Sequence, residues 1–386
     1  MRDHSEGRRP KDLKRVNGDV KVNLKEAYKN KKVLITGHTG FKGSWMVRLL
    51  YELGAEVYGY SLDAPTDPAL FKLIGLDKLM GERSHIADIR DLKSLSAFME
   101  RVQPQIVIHM AAQPIVRTSY LDPVGTYETN VMGTVNILEA VRQCSSVRSV
   151  VNVTTDKVYL NRERDEGYKE DEELKGYDPY SNSKSCSELV TYSYIRSFFE
   201  DRDIAVSTMR AGNVIGGGDF AKDRLIPDCV RAVAEGKAII LRNPDSVRPY
   251  QHVLEPVYAY LHLAAAQLED MSIAGNYNVG PEESDCLKTI DMAELFCAEW
   301  NRAAEEGMKL NRAYVECRPD GGPHEAKLLK LDCTKIKAVL GRKPGWDSAM
   351  AVKKTVEWAA AYVSGADVDA VCAAQIEDYM KNLLQS

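Results

Sequence analysis

The stretch KKVLITGHTGFKGSWMVRLLYELGAEVYGY, residues 31–60, has the pattern of a strand, a glycine-rich turn, a helix and a second strand. Its apolar, β-branched run at 33–36 is typical of a strand covered on both faces. Gly54 follows the last apolar residue of the helix, as a helix stop often does. The helical spacing is set by Trp45, Met46, Leu49, Leu50 and Leu53. The unit is therefore long enough for two parallel strands joined by a crossover helix.

The same alternation continues along the chain. QIVIHMAA, VRSVVNVTT and IAVSTMRAG are apolar runs of strand length, and LKSLSAFMERV, TNVMGTVNILEAVRQC and PYSNSKSCSELVTYSYIRSFFE separate them as helices. Alternating strands and helices predict an α/β fold with a doubly wound parallel sheet. Beyond about Gly212 the rhythm becomes irregular, which predicts a smaller C-terminal part that binds the substrate.

Four regions follow from this pattern. We expect a basic extension at 1–30, a dinucleotide-binding domain at 31–211, a discontinuous substrate-binding part at 212–345 with some elements returning to the sheet, and C-terminal helices at 346–386. The apolar stripe of the last helix fits docking on the chain's own core, and a subunit contact is the alternative. A transit peptide is the alternative for the extension, although its interspersed acidic residues argue against it.

Composition narrows the functional classes. The chain has 386 residues, 44% of them hydrophobic, and a formal net charge of −5, which gives no reason to expect nucleic acid or an acidic membrane surface as a partner. Eight cysteines are scattered singly, which favours thiols in a reducing compartment over disulfides or a metal site. No apolar run is long enough to span a membrane. We therefore expect a cytoplasmic protein without a metal.

Gly37, Gly40 and Gly43 follow the first strand and open the first helix. A glycine-rich turn at this junction brings the backbone close to a pyrophosphate and points helix N–H groups at its oxygens. The turn therefore predicts a bound dinucleotide. An acidic residue about 20 positions further on would bind the adenosine ribose. Asp63 has that spacing, with a solvated loop position as the alternative. Asp88 could face the adenine or cap the next helix.

Tyr180 and Lys184 lie four residues apart, so both side chains share one face of the predicted helix. An ammonium beside a phenol lowers the phenol pKa and makes tyrosine usable as a general base. The preceding strand ends in Thr154, Thr155, Asp156 and Lys157. Because chemistry in open α/β sheets gathers beyond the carboxyl ends of strands, these side chains can converge on one substrate. A strand-end salt bridge is the alternative for the Asp–Lys pair.

The order of TGHTGFKG, HMAAQPIV, TTDKVY, YSNSK and RAGNVIGGGDF resembles the extended short-chain dehydrogenase/reductases, which have a Rossmann fold. Within that superfamily, GHTGFKGSW, DPYSNSKSCSELV, RPYQHVLEP and HEAKLLKLD resemble the CDP-glucose 4,6-dehydratases. Most dTDP-glucose and GDP-mannose relatives carry an Asp–Glu pair where this chain has Asp156–Lys157. The inverting UDP-N-acetylglucosamine dehydratases share Asp–Lys but typically lack the tyrosine found at 180.

The resemblance implies a lyase that uses NAD to oxidise C4 of a nucleotide-linked hexose, eliminates water across C5 and C6, and reduces C6. Tyr180 would take the C4 hydroxyl proton and Lys184 would hold the phenolate and the nicotinamide ribose. Thr155 would bind the C4 oxygen, Asp156 would protonate the leaving hydroxyl, and Lys157 would assist loss of the C5 proton.

The resemblance also implies binding residues. The cofactor residues would be Gly37, Thr39, Gly40, Phe41, Lys42, Gly43, Asp63, Asp88, Ile89, Ala111, Ala112, Thr154, Tyr180 and Lys184. The substrate residues would be Gln113, Asn213, Asp219, Arg224, Arg248, His252 and Glu325. Arg248 could instead be an ordinary surface charge.

Extended members of the superfamily commonly pair through the helix carrying the active-site tyrosine and the helix before it, so we expect a homodimer through a helix bundle. Two other functions share the fold. An epimerase needs Tyr180 and Lys184 but not Asp156–Lys157, and a non-catalytic dinucleotide sensor needs none of the four.

Overall fold

The computed structural model describes residues 22–318 and 327–385. The basic extension therefore lies almost entirely outside the described residues. The strands are β1 (Lys32–Thr36), β2 (Glu56–Ser61), β3 (Ser84–Ile86), β4 (Ile106–His109), β5 (Ser149–Thr155), β6 (Ala205–Ala211), β7 (Val214–Ile215), β8 (Ile239–Leu241), β9 (Val247–Arg248), β10 (Gln251–His252), β11 (Asn276–Val279), β12 (Leu287–Lys288) and β13 (Val315–Cys317).

The helices pack around these strands. They are α1 (Leu24–Tyr28), α2 (Phe41–Glu52), α3 (Leu70–Leu73), α4 (Leu76–Met80), α5 (Leu92–Val102), α6 (Val116–Leu121), α7 (Pro123–Tyr127), α8 (Gly133–Gln143), α9 (Pro179–Tyr194), α10 (Leu225–Ala234), α11 (Leu254–Glu269), α12 (Thr289–Glu305), α13 (Thr334–Leu340), α14 (Ser348–Val363) and α15 (Val368–Gln385). Wider π-helical turns at Glu128–Met132 and Ile195–Phe199 join α7 to α8 and extend α9.

A parallel sheet of seven strands forms the centre, in the order β11-β6-β5-β4-β1-β2-β3. The strand order reverses between β1 and β4, which makes their carboxyl ends the expected place for a ligand. The predicted doubly wound α/β sheet is confirmed.

The two faces of the sheet bury different helices. Val33 and Ile35 of β1 belong to a core cluster with α2 and α11, whereas Leu34 belongs to a cluster with α5 and α8 on the other face. Because successive side chains of a strand point to opposite faces, a strand covered on both sides must be apolar throughout. This is why the opening stretch carries a continuous apolar run.

A third core cluster holds the smaller part together. It joins α10, α12, α14 and β8 around buried side chains such as Phe296 and Trp300. The last helix, α15, buries Val368, Cys372 and Ile376 in the large cluster with α2 and α11, so its apolar stripe docks on the chain's own core. Among the described residues, no helix is both long enough and apolar enough to cross a membrane.

Candidate active site

The turn after β1 is tight because glycine occupies its two crowded positions. Gly37 has φ +79°, and a Cβ there would lie 2.8 Å from the backbone nitrogen of Ala111. A Cβ at Gly43 would lie 2.2 Å from the Gly37 carbonyl oxygen. At Gly40 the nearest atom would be 3.5 Å away, so the chain itself does not require glycine at this position. Gly40 therefore marks the open side of the turn, at the start of α2.

The other predicted turn residues, Thr39, Phe41 and Lys42, have different surroundings. The Thr39 hydroxyl donates to the Leu62 carbonyl at 2.9 Å, which ties the turn to the end of β2. Phe41 packs against the large core cluster. Lys42 lies in the cavity described below, where burial, Arg224 and Lys157 lower its pKa to about 8 against the opposing effect of Asp156 and Asp219. Lys42 thus faces acidic and basic side chains of the predicted substrate region.

The two acidic residues predicted to bind the adenosine end of the cofactor lie just beyond the ends of β2 and β3. Asp63 is exposed, follows β2 and pairs with Lys72 at 3.3 Å. Asp88 accepts from the backbone and guanidinium of Arg90 and caps no helix, since Asp91 caps α5. Ile89 is buried and would touch a Cβ added at Gly133.

One cavity of about 1010 Å³ opens at the carboxyl ends of β5 and β6 and extends into the smaller part. It collects most of the predicted catalytic and substrate residues. Those that line it are Lys42, Thr154, Thr155, Asp156, Lys157, Tyr180, Asn213, Asp219, Arg224 and Arg248. A volume of this size is at the upper end of ordinary ligand sites and suits an extended ligand.

Asp156 is the most unusual group in the cavity, because its carboxyl is fully buried. Its Oδ1 accepts from the Thr155 hydroxyl at 2.9 Å and from Lys157 Nζ at 3.4 Å. Its Oδ2 has no hydrogen-bond partner among the described residues. Lys157 Nζ also donates to Asn213 Oδ1 at 3.4 Å. A buried carboxyl oxygen without a partner is costly for a fold and is a common mark of a reactive group.

Tyr180 and Lys184 both lie on the buried face of α9, as their spacing predicts. Burial raises the Tyr180 pKa to about 12, while a hydrogen bond with Thr155 and the charge of Arg224 oppose the rise. Burial, together with the charges of Asp156 and Asp178, therefore outweighs the lowering of the phenol pKa that a neighbouring cation would cause. The Lys184 ammonium donates to the Val153 carbonyl at 3.1 Å. Burial and Lys42 lower the Lys184 pKa to about 7.

Among the described residues, two of the predicted substrate residues do not line the cavity. Gln113 bonds with Thr126 and the backbone of Ile115, and its own backbone is held by Asn130. The predicted contact of its side chain with the substrate stays a prediction, and this local network holds the side chain in place.

His252 is fully buried and packs edge-on against Trp45 and Trp346. The ring has no exposed surface and does not line the cavity, so its position gives no support to the nucleotide contact predicted for His252. Glu325 lies outside the described residues. Ala111 and Ala112 are half-buried after β4, with Ala111 against the Gly37 turn.

The remaining substrate residues are held by the smaller part. Arg224 donates to Asp219 at 2.9 Å across the loop before α10. Arg248 is buried and donates to the Val247 carbonyl, so it is not a surface charge. Sequence reasoning missed further lining residues, namely Arg117, Tyr177, Ile240, Arg242, Tyr250 and Thr289. They come from helices, a short strand and loops that are far apart in the chain, so only the folded chain brings them together.

Residues 34–355 match the model of the GDP-mannose 4,6 dehydratase family. The chain belongs to this family. Among characterised relatives, the CDP-glucose 4,6-dehydratase of Salmonella typhimurium is 45% identical over 362 residues, which cover 92% of this chain and 98% of the relative. A probable dTDP-glucose 4,6-dehydratase of Sinorhizobium fredii is 29% identical over 85% of this chain and 92% of its own length. The expected family and the expected nucleotide-sugar 4,6-dehydratase activity are thereby confirmed.

Solved structures of related enzymes share the fold. A UDP-glucose 4-epimerase of Thermus thermophilus in complex with NAD has a TM-score of 0.67 and 25% identity, over 84% of this chain and 98% of that one. The dTDP-glucose 4,6-dehydratase of Bacillus anthracis has a TM-score of 0.68 over 85% and 96% of the two chains. At 21% identity, this second likeness speaks for the fold alone.

Proposed function

We propose that this member of the 4,6-dehydratase family converts CDP-glucose to CDP-4-keto-6-deoxyglucose with NAD as its cofactor. The observation that carries the proposal is the unpartnered Oδ2 of buried Asp156, beside Thr155, Lys157 and Tyr180 in one cavity. An epimerase has no use for a carboxylic acid and an ammonium at this place, because it eliminates no water. The choice of CDP rests on the 45% identity with the Salmonella enzyme.

The chain's residues fit a dinucleotide. The open side of the turn at Gly40 lies at the N-terminus of α2, where backbone N–H groups and the helix dipole favour a pyrophosphate. Lys184 is buried next to the cavity, close enough to Lys42 for the charge of Lys42 to lower its pKa. When bound there, NAD would supply the hydride acceptor for oxidation at C4 and the hydride donor for reduction at C6. The protein's share is to hold the cofactor and to move protons.

Tyr180 serves as the base for the C4 hydroxyl proton. Its phenol pKa of about 12 requires that the anion be stabilised as it forms, and Thr155 and Arg224 already act in that direction. Lys184 lies one helical turn further along the same face of α9 and supplies a cation close by. The Thr155 hydroxyl lies between Tyr180 and Asp156, and with a sugar bound it would turn from Asp156 to donate its single proton to the C4 oxygen.

Asp156 and Lys157 carry the elimination. Once C4 is a ketone, the C5 proton is acidic because the carbonyl stabilises the carbanion. Lys157, in its neutral form, takes that proton, and the resulting ammonium stabilises the enolate. Asp156 gives a proton from Oδ2 to the departing C6 hydroxyl, which leaves as water. When C6 is reduced, the Lys157 ammonium returns its proton to C5. The hydrogen bonds from Thr155 and Lys157 to Oδ1 leave Oδ2 for the substrate.

The test is incubation of the purified protein with NAD⁺ and the CDP-, dTDP-, GDP- and UDP-hexoses in turn, followed by mass spectrometry and detection of a keto sugar. We expect loss of one water from CDP-glucose and much slower reaction of the others. A C4 epimer of unchanged mass would establish the epimerase instead. Binding without any product would establish the sensor.

We also propose that the protein is a cytoplasmic homodimer. The neighbouring elements α8 and α9, with their π-helical turns, carry the exposed apolar side chains Met132, Leu189, Tyr192 and Phe198. Apolar groups on adjacent helices support a helix-bundle interface. All eight cysteines are free thiols, which suits a reducing compartment.

A further inference from the structure

A buried polar network lies behind the active site, between α9 and the strands β5 and β6. At its centre is Glu188, whose side chain is almost completely buried one turn after Lys184 on α9. Arg210 of β6 donates through Nε to Oε1 and through Nη2 to Oε2, both at 2.9 Å. This two-pronged ion pair neutralises a charge that would otherwise be very costly at this depth.

Two threonine hydroxyls complete the coordination of the carboxylate. Thr154 of β5 donates to Oε1 at 2.5 Å, and Thr208 of β6 donates to Oε2 at 2.6 Å. The Thr154 hydroxyl, 3.5 Å from the Met209 carbonyl as well, is therefore directed at α9. Thr208 also lies 3.1 Å from Asn276 Oδ1. The two threonines thus make similar bonds to the same group from neighbouring strands.

The two threonines differ in where they lie on their strands. Thr154 directly precedes Thr155, Asp156 and Lys157, whereas Thr208 lies in the middle of β6, away from its end. Tyr180 and Lys184 stand on α9 itself. Further polar links join α9 to β5: Lys184 donates to the Val153 carbonyl, and Asn152 donates to Ser187 and Thr191 further from the strand end. Hydrogen bonds are directional, so they fix the axial position of a helix on a sheet more narrowly than apolar contacts do.

We propose that Glu188 is a positioning residue that acts through Thr154. It sets the offset between the helix that carries the Tyr180 base and the strand that carries the Asp156–Lys157 pair. The reaction needs this offset because one sugar ring must present C4 to Tyr180 and C5 and C6 to Asp156 and Lys157. The inference rests on the proposed function, since only a dehydratase uses both groups in one turnover.

The test compares Thr154→Val with Thr208→Val. Each variant keeps the side-chain shape and removes one hydroxyl from the same carboxylate, so both should lower the melting temperature to a similar extent. Only Thr154→Val should reduce kcat, by about 10- to 100-fold, because misplacement of reacting groups by about 1 Å costs about that much. KM should change little. Reduced nicotinamide should accumulate in a single turnover with CDP-glucose, since oxidation at C4 would outrun elimination.

Two further variants secure the comparison. Thr154→Ser retains the hydroxyl and should restore most of kcat and abolish the accumulation. If either valine variant fails to fold, Thr154→Ala against Thr208→Ala makes the same comparison. Equal losses in the two positions, or an unchanged Thr154 variant, would overturn the proposal. A wild-type enzyme that yields no keto sugar from any nucleotide-hexose would instead refute the proposed function.

Discussion

At the scale of single residues, the chemistry depends on a carboxyl group that the fold buries without satisfying. Thr155 and Lys157 bind one oxygen of Asp156 and leave the other for a ligand. Tyr180, which lies on α9, forms a hydrogen bond with Thr155 as well. The two halves of the reaction therefore meet at Thr155, and substitutions on either side of it should separate them.

Asp156→Asn should stall the enzyme after C4 oxidation. The amide keeps the shape of the carboxyl but cannot supply the proton for the departing C6 hydroxyl, so turnover should fall by about 10² to 10⁴-fold. Single-turnover absorbance in the reduced-nicotinamide band should rise and persist. Tyr180→Phe is the matched control, since it blocks oxidation and should show no rise. Turnover of the Asn variant at the wild-type rate would remove Asp156 from the elimination.

Ligand binding should take up protons in mildly alkaline solution. Burial and neighbouring cations lower the pKa of Lys42 to about 8 and that of Lys184 to about 7, so both are partly neutral there before a ligand binds. An incoming pyrophosphate favours the charged ammonium and raises both values. Well below the pKa of Lys184 both groups are already charged, and the uptake should vanish.

Calorimetric titration with CDP in buffers of different ionisation enthalpy measures this uptake. Lys42→Met should reduce the uptake near pH 8 and weaken binding. Lys42→Arg should reduce the uptake equally but retain affinity, because a guanidinium stays charged throughout this range. Uptake that is unchanged in both variants would show that Lys42 does not sense the ligand.

Residues inside contiguous motifs were predictable, and residues placed by distant contacts were not. TTDKVY and the Tyr-x-x-x-Lys pair sit at a strand end and on the next helix, so the sheet topology alone brings Thr155, Asp156 and Tyr180 together. His252 has a similar motif context, yet its ring lies between two tryptophans 207 and 94 positions away in the chain. Sequence carries no local signal for such packing, nor for the hydrogen bonds that occupy Gln113.

At the scale of elements, the β1–α2 connection contains glycines for two different reasons: one is needed for the packing of the chain, and the other leaves room for a ligand. Gly43 is required by the chain, because a Cβ would overlap the Gly37 carbonyl and the His38 backbone. Gly40 has an extended backbone and no close neighbour, so its reason must lie in what binds there.

Gly43→Ala should therefore lower stability, whereas Gly40→Ala should leave the melting temperature of the ligand-free protein almost unchanged. Gly40→Ala should instead weaken NAD binding by 10-fold or more, about 1.4 kcal/mol or above, because its methyl group would occupy the approach to the turn. Thermal unfolding with and without NAD measures both effects. If Gly40→Ala bound NAD as the wild type does, the turn would not be the pyrophosphate site.

The helix α9 is the element on which most of the function rests. Its inner face carries Tyr180, Lys184 and Glu188, and the Asn152 side chain of β5 donates to Ser187 and Thr191 along the same face. A polar helix–sheet contact of this kind costs more to assemble than an apolar one but specifies a single register. The sequence predicted the helix at 179–200. It did not predict that a polar face of this helix is buried, because that depends on which side of the helix the sheet covers.

At the scale of the whole molecule, the cavity joins two separately packed cores. Its catalytic end is built on the carboxyl ends of β5 and β6, and its far end on α10, β8 and β9 of the smaller part. The division explains how relatives can share the chemistry and differ in the nucleotide. The motifs of this chain predicted most residues at the first end, whereas the second is assembled from short elements in which only a few residues, such as Arg224 and Arg248, were predicted to bind substrate.

The outer face of α9 should hold two copies of the chain together. Leu189 and Tyr192 are 54% and 63% exposed on this helix, and burial of such side chains is a usual driving force for isologous pairing. Replacing both with glutamate should convert a dimer into a monomer by light scattering at micromolar concentration. Leu79→Glu is the control, since Leu79 is similarly exposed, at 48%, on α4 instead of α9. It should leave the mass unchanged.

A wild-type protein that is monomeric under these conditions would contradict the assembly, and equal dissociation by both changes would place the interface elsewhere. Because α9 also carries Tyr180 and Lys184, the monomeric variant should lose activity to the extent that the interface stabilises the position of that helix.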